Sequence, residues 1–153
     1  MKKEVVTNNF EETQKLGRDF VKKLLESAEK RDGTIVVALE GDLGSGKTTF
    51  VQGMAQGLGI KEQITSPTFV LIKKHRIKIQ VSGFKFQDFY HIDCYRIDKP
   101  WQLQELGFEE IINDPRNIVA IEWAEKASKI LPEDRIVIKF ERVDENKRRI
   151  TIA

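Results

Sequence analysis

Residues 34–48 read Thr-Ile-Val-Val-Ala-Leu-Glu-Gly-Asp-Leu-Gly-Ser-Gly-Lys-Thr, an apolar run followed directly by a glycine-rich segment. The run Thr34–Leu39 is continuous and β-branched, which is typical of a central parallel strand with both faces covered. The segment after it has the spacing of a phosphate-binding loop: a glycine, four further residues and Gly-Lys-Thr. This order predicts a P-loop NTPase fold of the α/β class, with a mainly parallel central sheet, flanking helices and antiparallel edge strands.

The glycine-rich loop predicts a nucleotide site. Glycine permits a tight turn and lets backbone amides approach phosphate oxygens beside the positive end of the following helix. We expect Lys47 to bridge the β- and γ-phosphates of ATP and the Thr48 hydroxyl to bind Mg²⁺. The loop residues predicted to hold this cofactor are Gly41, Asp42, Leu43, Gly44, Ser45, Gly46, Lys47 and Thr48. The alternative is a turn between strand and helix that binds nothing.

Two carboxylates near the ends of other strands are candidates for the chemistry. Glu122 directly follows the apolar run Asn117–Ile121, where a P-loop protein needs an acid for Mg²⁺ and for the attacking water. Its alternative is a surface acid that ends a strand. Asp93 alternates with His91, so the two would share one face of a strand. We expect Asp93 to act as a base or to orient water, and a metal site formed with His91 is the less favoured alternative. Lys47, Asp93 and Glu122 are thus the predicted catalytic residues.

Three further positions each allow two interpretations, and a fourth allows one. The hydroxyl-rich turn at 65–68 either reaches back to the γ-phosphate through Thr68 or is a proline turn with capping hydroxyls. Arg96 contacts phosphate or forms an ordinary ion pair. Trp123 packs in the core or contacts the ligand. His75 lies among lysines, and we expect it to be solvated.

The rest of the pattern predicts one domain over residues 1–153 in which strands and helices alternate. Expected strands are Val5–Val6, Arg135–Arg142 and Arg148–Ile152, together with two extended arms, Phe69–Ile79 and Phe84–Ile92, joined in a hairpin at 81–83. Expected helices are Phe10–Lys30, Gln52–Leu58 and Pro100–Ile112.

Composition excludes several classes of protein. The chain has 26 basic and 24 acidic residues and a net charge of +2, so no overall electrostatic footprint argues for nucleic acid. The basic arm at 73–78 is read as a solvated face, with contact to RNA or an acidic partner as the alternative. Cys94 is the single cysteine, which rules out an intramolecular disulfide. No run approaches the ~20 apolar residues of a membrane span, and we expect a cytoplasmic protein without a membrane partner.

Several motifs in a fixed order carry a resemblance to a known family. They are Glu-Gly-Asp-Leu-Gly-Ser-Gly-Lys-Thr-Thr at 40–49, Ser-Pro-Thr-Phe at 66–69, His-Ile-Asp-Cys-Tyr-Arg at 91–96, Leu-Gly-Phe-Glu-Glu at 106–110 and Ile-Glu-Trp at 121–123. With Thr13 before Leu16 and Gly17, the likeness covers nearly the whole chain. The sequence resembles the bacterial ATPase subunit of tRNA threonylcarbamoyladenosine biosynthesis, the TsaE or YjeE family.

The resemblance implies a small P-loop ATPase that binds ATP or ADP with Mg²⁺ and hydrolyses ATP weakly. It implies that the chain works with the TsaD and TsaB proteins, and reaches tRNA indirectly through them. Matching positions imply that Lys47 holds phosphates, that Thr48 and Glu122 serve Mg²⁺, and that Asp93 is needed for hydrolysis. Further nucleotide contacts implied by the match are Thr13, Thr49, Thr68 and Arg148.

Two other functions remain open at this point. A small-molecule or nucleoside kinase would use the same phosphate loop, although the chain has no compact arginine-rich lid. A nucleotide-dependent interaction module without useful hydrolysis would use the same binding residues.

Overall fold

The computed structural model describes residues 2–27, 33–65, 71–79 and 85–153. Its strands are β1 (Lys3–Thr7), β2 (Ile35–Glu40), β3 (Ile72–Arg76), β4 (Asp88–Asp93), β5 (Asn117–Glu122), β6 (Ile136–Arg142) and β7 (Arg148–Ile152). Its helices are α1 (Phe10–Glu26), α2 (Lys47–Gly57), α3 (Trp101–Gln104) and α4 (Phe108–Ile112), with a 3₁₀-helix at Ala124–Ile130. Within this part of the chain, no helix is both long enough and apolar enough to cross a membrane.

The described strands form one seven-stranded sheet in the order β1-β7-β6-β2-β5-β4-β3. The central strands β6, β2, β5 and β4 pair in parallel, and antiparallel pairs lie at both edges. All of β5 and all but the last residue of β2 are buried, as expected for strands covered on both faces. The predicted fold class is confirmed.

One face of the sheet is covered by α1 and α2, which approach each other through glycine. A Cβ on Gly17 would lie 2.3 Å from the Phe50 carbonyl oxygen, and one on Gly53 would lie 2.0 Å from the Gln14 carbonyl oxygen. The two helix backbones are therefore nearly in contact. Because of this close packing, the start of α1 lies beside the loop that precedes α2.

The opposite face is covered by α3, α4 and the 3₁₀-helix, around the buried side chains of Ile92, Leu103, Phe108 and Ile121. The single helix predicted at Pro100–Ile112 is wrong. Gly107 has a φ of 84°, a left-handed conformation that ends one helix and precedes the next. The sequence pattern was helical on both sides of that glycine, so periodicity alone did not reveal the break.

Other predicted boundaries shift. The helix expected at Phe10–Lys30 ends at Glu26, where Ser27 forms the cap, and residues 28–32 lie outside the described part of the chain. The helix expected at Gln52–Leu58 begins at Lys47, directly after the glycine-rich loop. The two arms predicted as a hairpin pair as β3 and β4, while the turn at 81–83 lies outside the described residues.

Candidate functional site

A cavity of about 340 Å³ lies where the carboxyl ends of β4 and β5 face the glycine-rich loop. The loop and the start of α2 form its floor. The predicted site residues that line it are Thr13, Leu43, Gly44, Ser45, Gly46, Lys47, Thr48, Thr49, Asp93, Glu122 and Arg148. The fold therefore brings most of the predicted site together at the edge where α/β sheets bind their ligands.

The loop conformation requires glycine. Gly41 has a φ of 151°, and a Cβ there would lie 2.6 Å from the Phe140 carbonyl oxygen. Gly46 has a φ of 105° and stands at the N-cap of α2, without a side chain to occupy the space in front of the helix. The backbone amides at the start of α2 and the positive end of its dipole therefore face the cavity, an arrangement that suits phosphate oxygens.

Lys47 places a buried ammonium group inside the loop. Its Nζ donates to the carbonyl oxygen of Gly41 and, at 2.9 Å, to that of Asp42. It also lies 4.3 Å from the centre of the Trp123 ring, a cation–π contact. Burial lowers the pKa of Lys47, and the negative charge of Glu122 is the largest effect that opposes this. A buried cation whose contacts are two carbonyl oxygens, the Ser45 hydroxyl and a ring is well suited to a polyanionic ligand.

Trp123, which the sequence left open between core and ligand contact, lies on the cavity wall and is half-buried. Its φ of 55° is the one positive value of a non-glycine residue within the described ranges. A left-handed residue directly after β5 turns the chain sharply into the 3₁₀-helix. This turn holds the indole ring over Lys47.

Glu122 joins the loop to the end of β5. The Thr48 hydroxyl donates to its Oε1 at 2.8 Å, and its Oε2 lies in close contact with Nε2 of His91. Glu122 is 3% exposed, so its carboxylate is shielded from bulk water and contacts these two side chains instead. A hydroxyl and a carboxylate oxygen are ligands that Mg²⁺ accepts, so these residues fit the predicted ion.

Asp93 ends β4 directly beside Glu122 in the register of the sheet. It is 6% exposed, and its Oδ1 accepts the backbone N–H of Tyr95 at 2.9 Å. Both predicted acids therefore reach the same cavity from neighbouring strands.

Cys94, the next residue, belongs to the core on the opposite face, where burial raises the pKa of its thiol to about 12.

The opposite wall combines the start of α1 with the turn between β6 and β7. The hydroxyls of Thr7 and Thr13 lie 2.7 Å apart and are buried. Arg148 donates to the Asp144 carbonyl oxygen at 2.8 Å and closes that turn. Both side chains stand beside Gly46, since a Cβ there would lie 3.7 Å from Cγ2 of Thr13 and 3.6 Å from Cγ of Arg148.

The structure places the remaining predicted residues away from the cavity or leaves them undescribed, and it overturns one prediction. Gly41 and Asp42 shape the loop but do not line the cavity, and Arg96 is exposed outside it. Thr68 lies outside the described residues. The prediction that His75 is solvated is wrong: it is half-buried, and burial lowers its pKa. Its Nε2 is buried with no hydrogen-bond partner in the part of the chain that the structure describes.

The cavity also has walls that sequence reasoning missed. These residues are Asn9, Phe10, Tyr95, Glu145 and Asn146. Two signals were present: Phe10 is a large apolar residue directly after a helix cap, and Glu145 and Asn146 lie in the turn before Arg148. Neither signal identifies a ligand site until the ends of the chain are known to meet at the loop.

Comparison with known proteins gives consistent results. The family described as "Threonylcarbamoyl adenosine biosynthesis protein TsaE" matches residues 7–150. A tRNA threonylcarbamoyladenosine biosynthesis protein TsaE from Treponema pallidum is 34% identical over 148 residues, covering 97% of this chain and 98% of the relative. The Haemophilus influenzae protein of the same name is 35% identical over 131 residues, 86% of this chain and 77% of the relative. The crystal structure of Bacillus subtilis YdiB superposes with a TM-score of 0.69 at 30% identity, covering 99% of this chain and 84% of that one.

Proposed function

The chain belongs to the TsaE family of threonylcarbamoyladenosine biosynthesis proteins, and from that premise we propose that it is the Mg²⁺-dependent ATPase subunit of this tRNA modification. Its family places it in the biosynthesis of the modified nucleoside. The proposal adds that it binds ATP and hydrolyses it slowly, as an accessory to the TsaD and TsaB proteins, and reaches tRNA only through them.

One observation carries the proposal: the hydrogen bond of 2.8 Å between Thr48 and Glu122. It ties the last residue of the phosphate loop to the strand-end acid, so that both stand at one point of the cavity. A turn that binds nothing does not require a hydroxyl beside a buried carboxylate. A site for a metal–triphosphate complex needs both.

Each residue then has a task. Lys47 and the amides at the start of α2 hold the polyphosphate, and Thr48 and Glu122 hold Mg²⁺. The ion supplies positive charge that offsets the charge developing on the phosphoryl oxygens. Asp93 orients the attacking water and accepts its proton, since it lies beside Glu122 and lines the same cavity. Thr13 and Arg148 contact the part of the nucleotide farther from the reacting phosphate.

The exposed surface around the cavity supports a slow enzyme that depends on a partner. Leu43, at the tip of the loop, is 75% exposed, and Tyr95 beside the acids is 47% exposed. The site is therefore open to solvent on this side in the isolated chain. We propose that TsaD and TsaB change the turnover rate, and that hydrolysis supports or resets their assembly.

The test is ATP turnover with and without purified TsaD and TsaB. We expect the partners to change turnover, and Asp93→Ala or Glu122→Ala to lower it about 100-fold, the usual contribution of a positioned acid or base. Asp93→Ala should bind ATP within a few-fold of the wild type, whereas Glu122→Ala should do so only when Mg²⁺ is absent. Asp98→Ala, an exposed acid on the same segment, is the matched control and should be silent.

The proposal fails if turnover responds neither to the partners nor to Asp93→Ala. Phosphoryl transfer to any of a panel of nucleosides would favour a kinase instead. Partner binding that depends on nucleotide in a wild type without measurable turnover would favour an interaction module that does not use hydrolysis. Variants that keep partner binding while losing turnover would favour an enzymatic cycle.

A further inference from the structure

His91 is a buried titratable residue to which the mechanism above assigns no task. Its side chain is 0% exposed, on the face of β4 that packs towards α2. Its Nε2 contacts Oε2 of Glu122, while its Nδ1 is buried with no hydrogen-bond partner among the described residues. Burying an unpartnered nitrogen costs free energy, and an apolar side chain in the same place would avoid that cost. Packing alone therefore does not account for a histidine here.

The register of the sheet explains how the contact forms. Ala120 stands opposite His91 on β5, and Glu122 follows two residues later on the same face. Because alanine is small, the imidazole has room to reach diagonally to the carboxylate. An ionised carboxylate only accepts hydrogen bonds, so the proton of a neutral His91 must lie on Nε2 and be donated to Glu122.

The two oxygens of Glu122 consequently have different supports. Oε1 is held by Thr48, which belongs to the loop and is itself a proposed ligand of Mg²⁺. Oε2 is held by His91, which belongs to the rigid sheet and does not line the cavity. When the Thr48 oxygen binds the ion, the bond from His91 is the one that still fixes the carboxylate.

We infer that His91 is a positioning residue that holds Glu122 in the orientation needed for Mg²⁺, by donating from Nε2 to Oε2. This inference rests on the proposed function, because it assigns the carboxylate of Glu122 to the ion. It adds a buried support that acts only through Glu122. Outer partners of this kind typically contribute 10- to 100-fold to metal affinity or activity.

The test compares His91→Leu, which removes the donor, with His91→Gln, whose amide can still donate. We expect His91→Leu to raise the Mg²⁺ concentration needed for half-maximal nucleotide binding about tenfold and to lower kcat by a similar factor. Binding of ADP without Mg²⁺ should change less than twofold. His91→Gln should recover most of both losses. Phe89→Leu, a buried residue on the same face of β4, should lower the melting temperature without changing the Mg²⁺ requirement.

A measurement on the unmodified protein guards against a variant that does not fold. Nitrogen-15 NMR of the histidine rings should show His91 protonated at Nε2 and bare at Nδ1. The opposite tautomer, or a His91→Leu variant that behaves like Phe89→Leu, overturns the inference. Failure of the wild type to bind Mg²⁺–ATP would instead overturn the proposed function, while the NMR result would still decide whether His91 supports Glu122.

Discussion

The phosphate loop and the acid pair meet in one cavity but are built in different ways. The loop at 41–48 is a continuous stretch whose shape follows from its own glycines and from the start of α2. Asp93 and Glu122 come from two strands and become neighbours only through the register of β4 and β5. The difference indicates a division of labour. Changes in the loop should act mainly on binding, and changes at the strand ends should act mainly on hydrolysis.

Lys47→Ala should give the largest effect on binding. It removes charge-assisted hydrogen bonds to the phosphates, each worth roughly 1.5–3 kcal/mol, so affinity for ATP should fall about 10- to 100-fold. Calorimetry with Mg²⁺–ATP measures this. The control is Lys126→Ala, a lysine near the same Trp123 ring but outside the cavity lining. Equal losses in the two variants would contradict the assignment to Lys47.

Gly41→Ala should test whether the loop needs its backbone shape. The new Cβ would meet the Phe140 carbonyl oxygen at 2.6 Å, and such overpacking costs about 2 kcal/mol. For a chain of this size we expect the melting temperature to fall by about 4–8 °C. Gly44→Ala is the matched control, because Gly44 also has a positive φ but has nothing within 4 Å of its would-be Cβ. If both variants lose the same stability, backbone strain rather than close approach is responsible.

Thr48→Val addresses the residue where the two regions join. Valine keeps the shape but removes the oxygen proposed to bind Mg²⁺, so the gain in ATP affinity on adding Mg²⁺ should shrink about tenfold. Binding in the presence of EDTA should stay nearly the same as in the wild type. Thr49→Val, the neighbouring threonine on the cavity wall, is the control. A full Mg²⁺ effect in Thr48→Val would remove this residue from the ion site.

Arg148→Ala should give the smallest effect. Arg148 is half-buried as a residue, and its guanidinium group is already bonded to the Asp144 carbonyl oxygen. We therefore expect only about a threefold loss of ATP affinity, typical of a partly exposed charge. Arg149→Ala is the natural control, since Arg149 pairs with Glu4 and Glu141 and does not line the cavity. A loss beyond tenfold would mean that the C-terminal turn belongs to the main binding region.

The same contrast explains what could be predicted from the sequence. Strand β2, the loop and the identity of Lys47 and Thr48 were predictable because their chemistry is contiguous in the chain. Glu122 was predictable because it directly follows an apolar run, and Asp93 because its alternation with His91 places both on one face of a strand. The contact between His91 and Glu122 was not, because it depends on the diagonal offset between two strands. No sequence period encodes that offset.

Other misses share this cause. The break at Gly107 could not be separated from a tolerated glycine inside a helix, because both neighbouring segments have a helical pattern. The contribution of Phe10 and Asn146 to the cavity depends on β1 pairing with β7, which joins distant parts of the chain. Where a site residue depends on a long-range contact, local pattern gives its type of element but not its neighbours.

The pairing of β1 with β7 also bears on synthesis at the ribosome. β1 is made before the other six strands but has its partner only after residues 148–152 have been made. Until then Thr7 and Thr13 cannot pack against Arg148. A growing chain therefore contains the residues of the phosphate loop but lacks one wall of the cavity. The charged side chains of Lys3 and Glu4 would discourage the waiting strand from pairing with other chains. We therefore expect nucleotide to bind only after residues 148–152 have been made and have paired with β1.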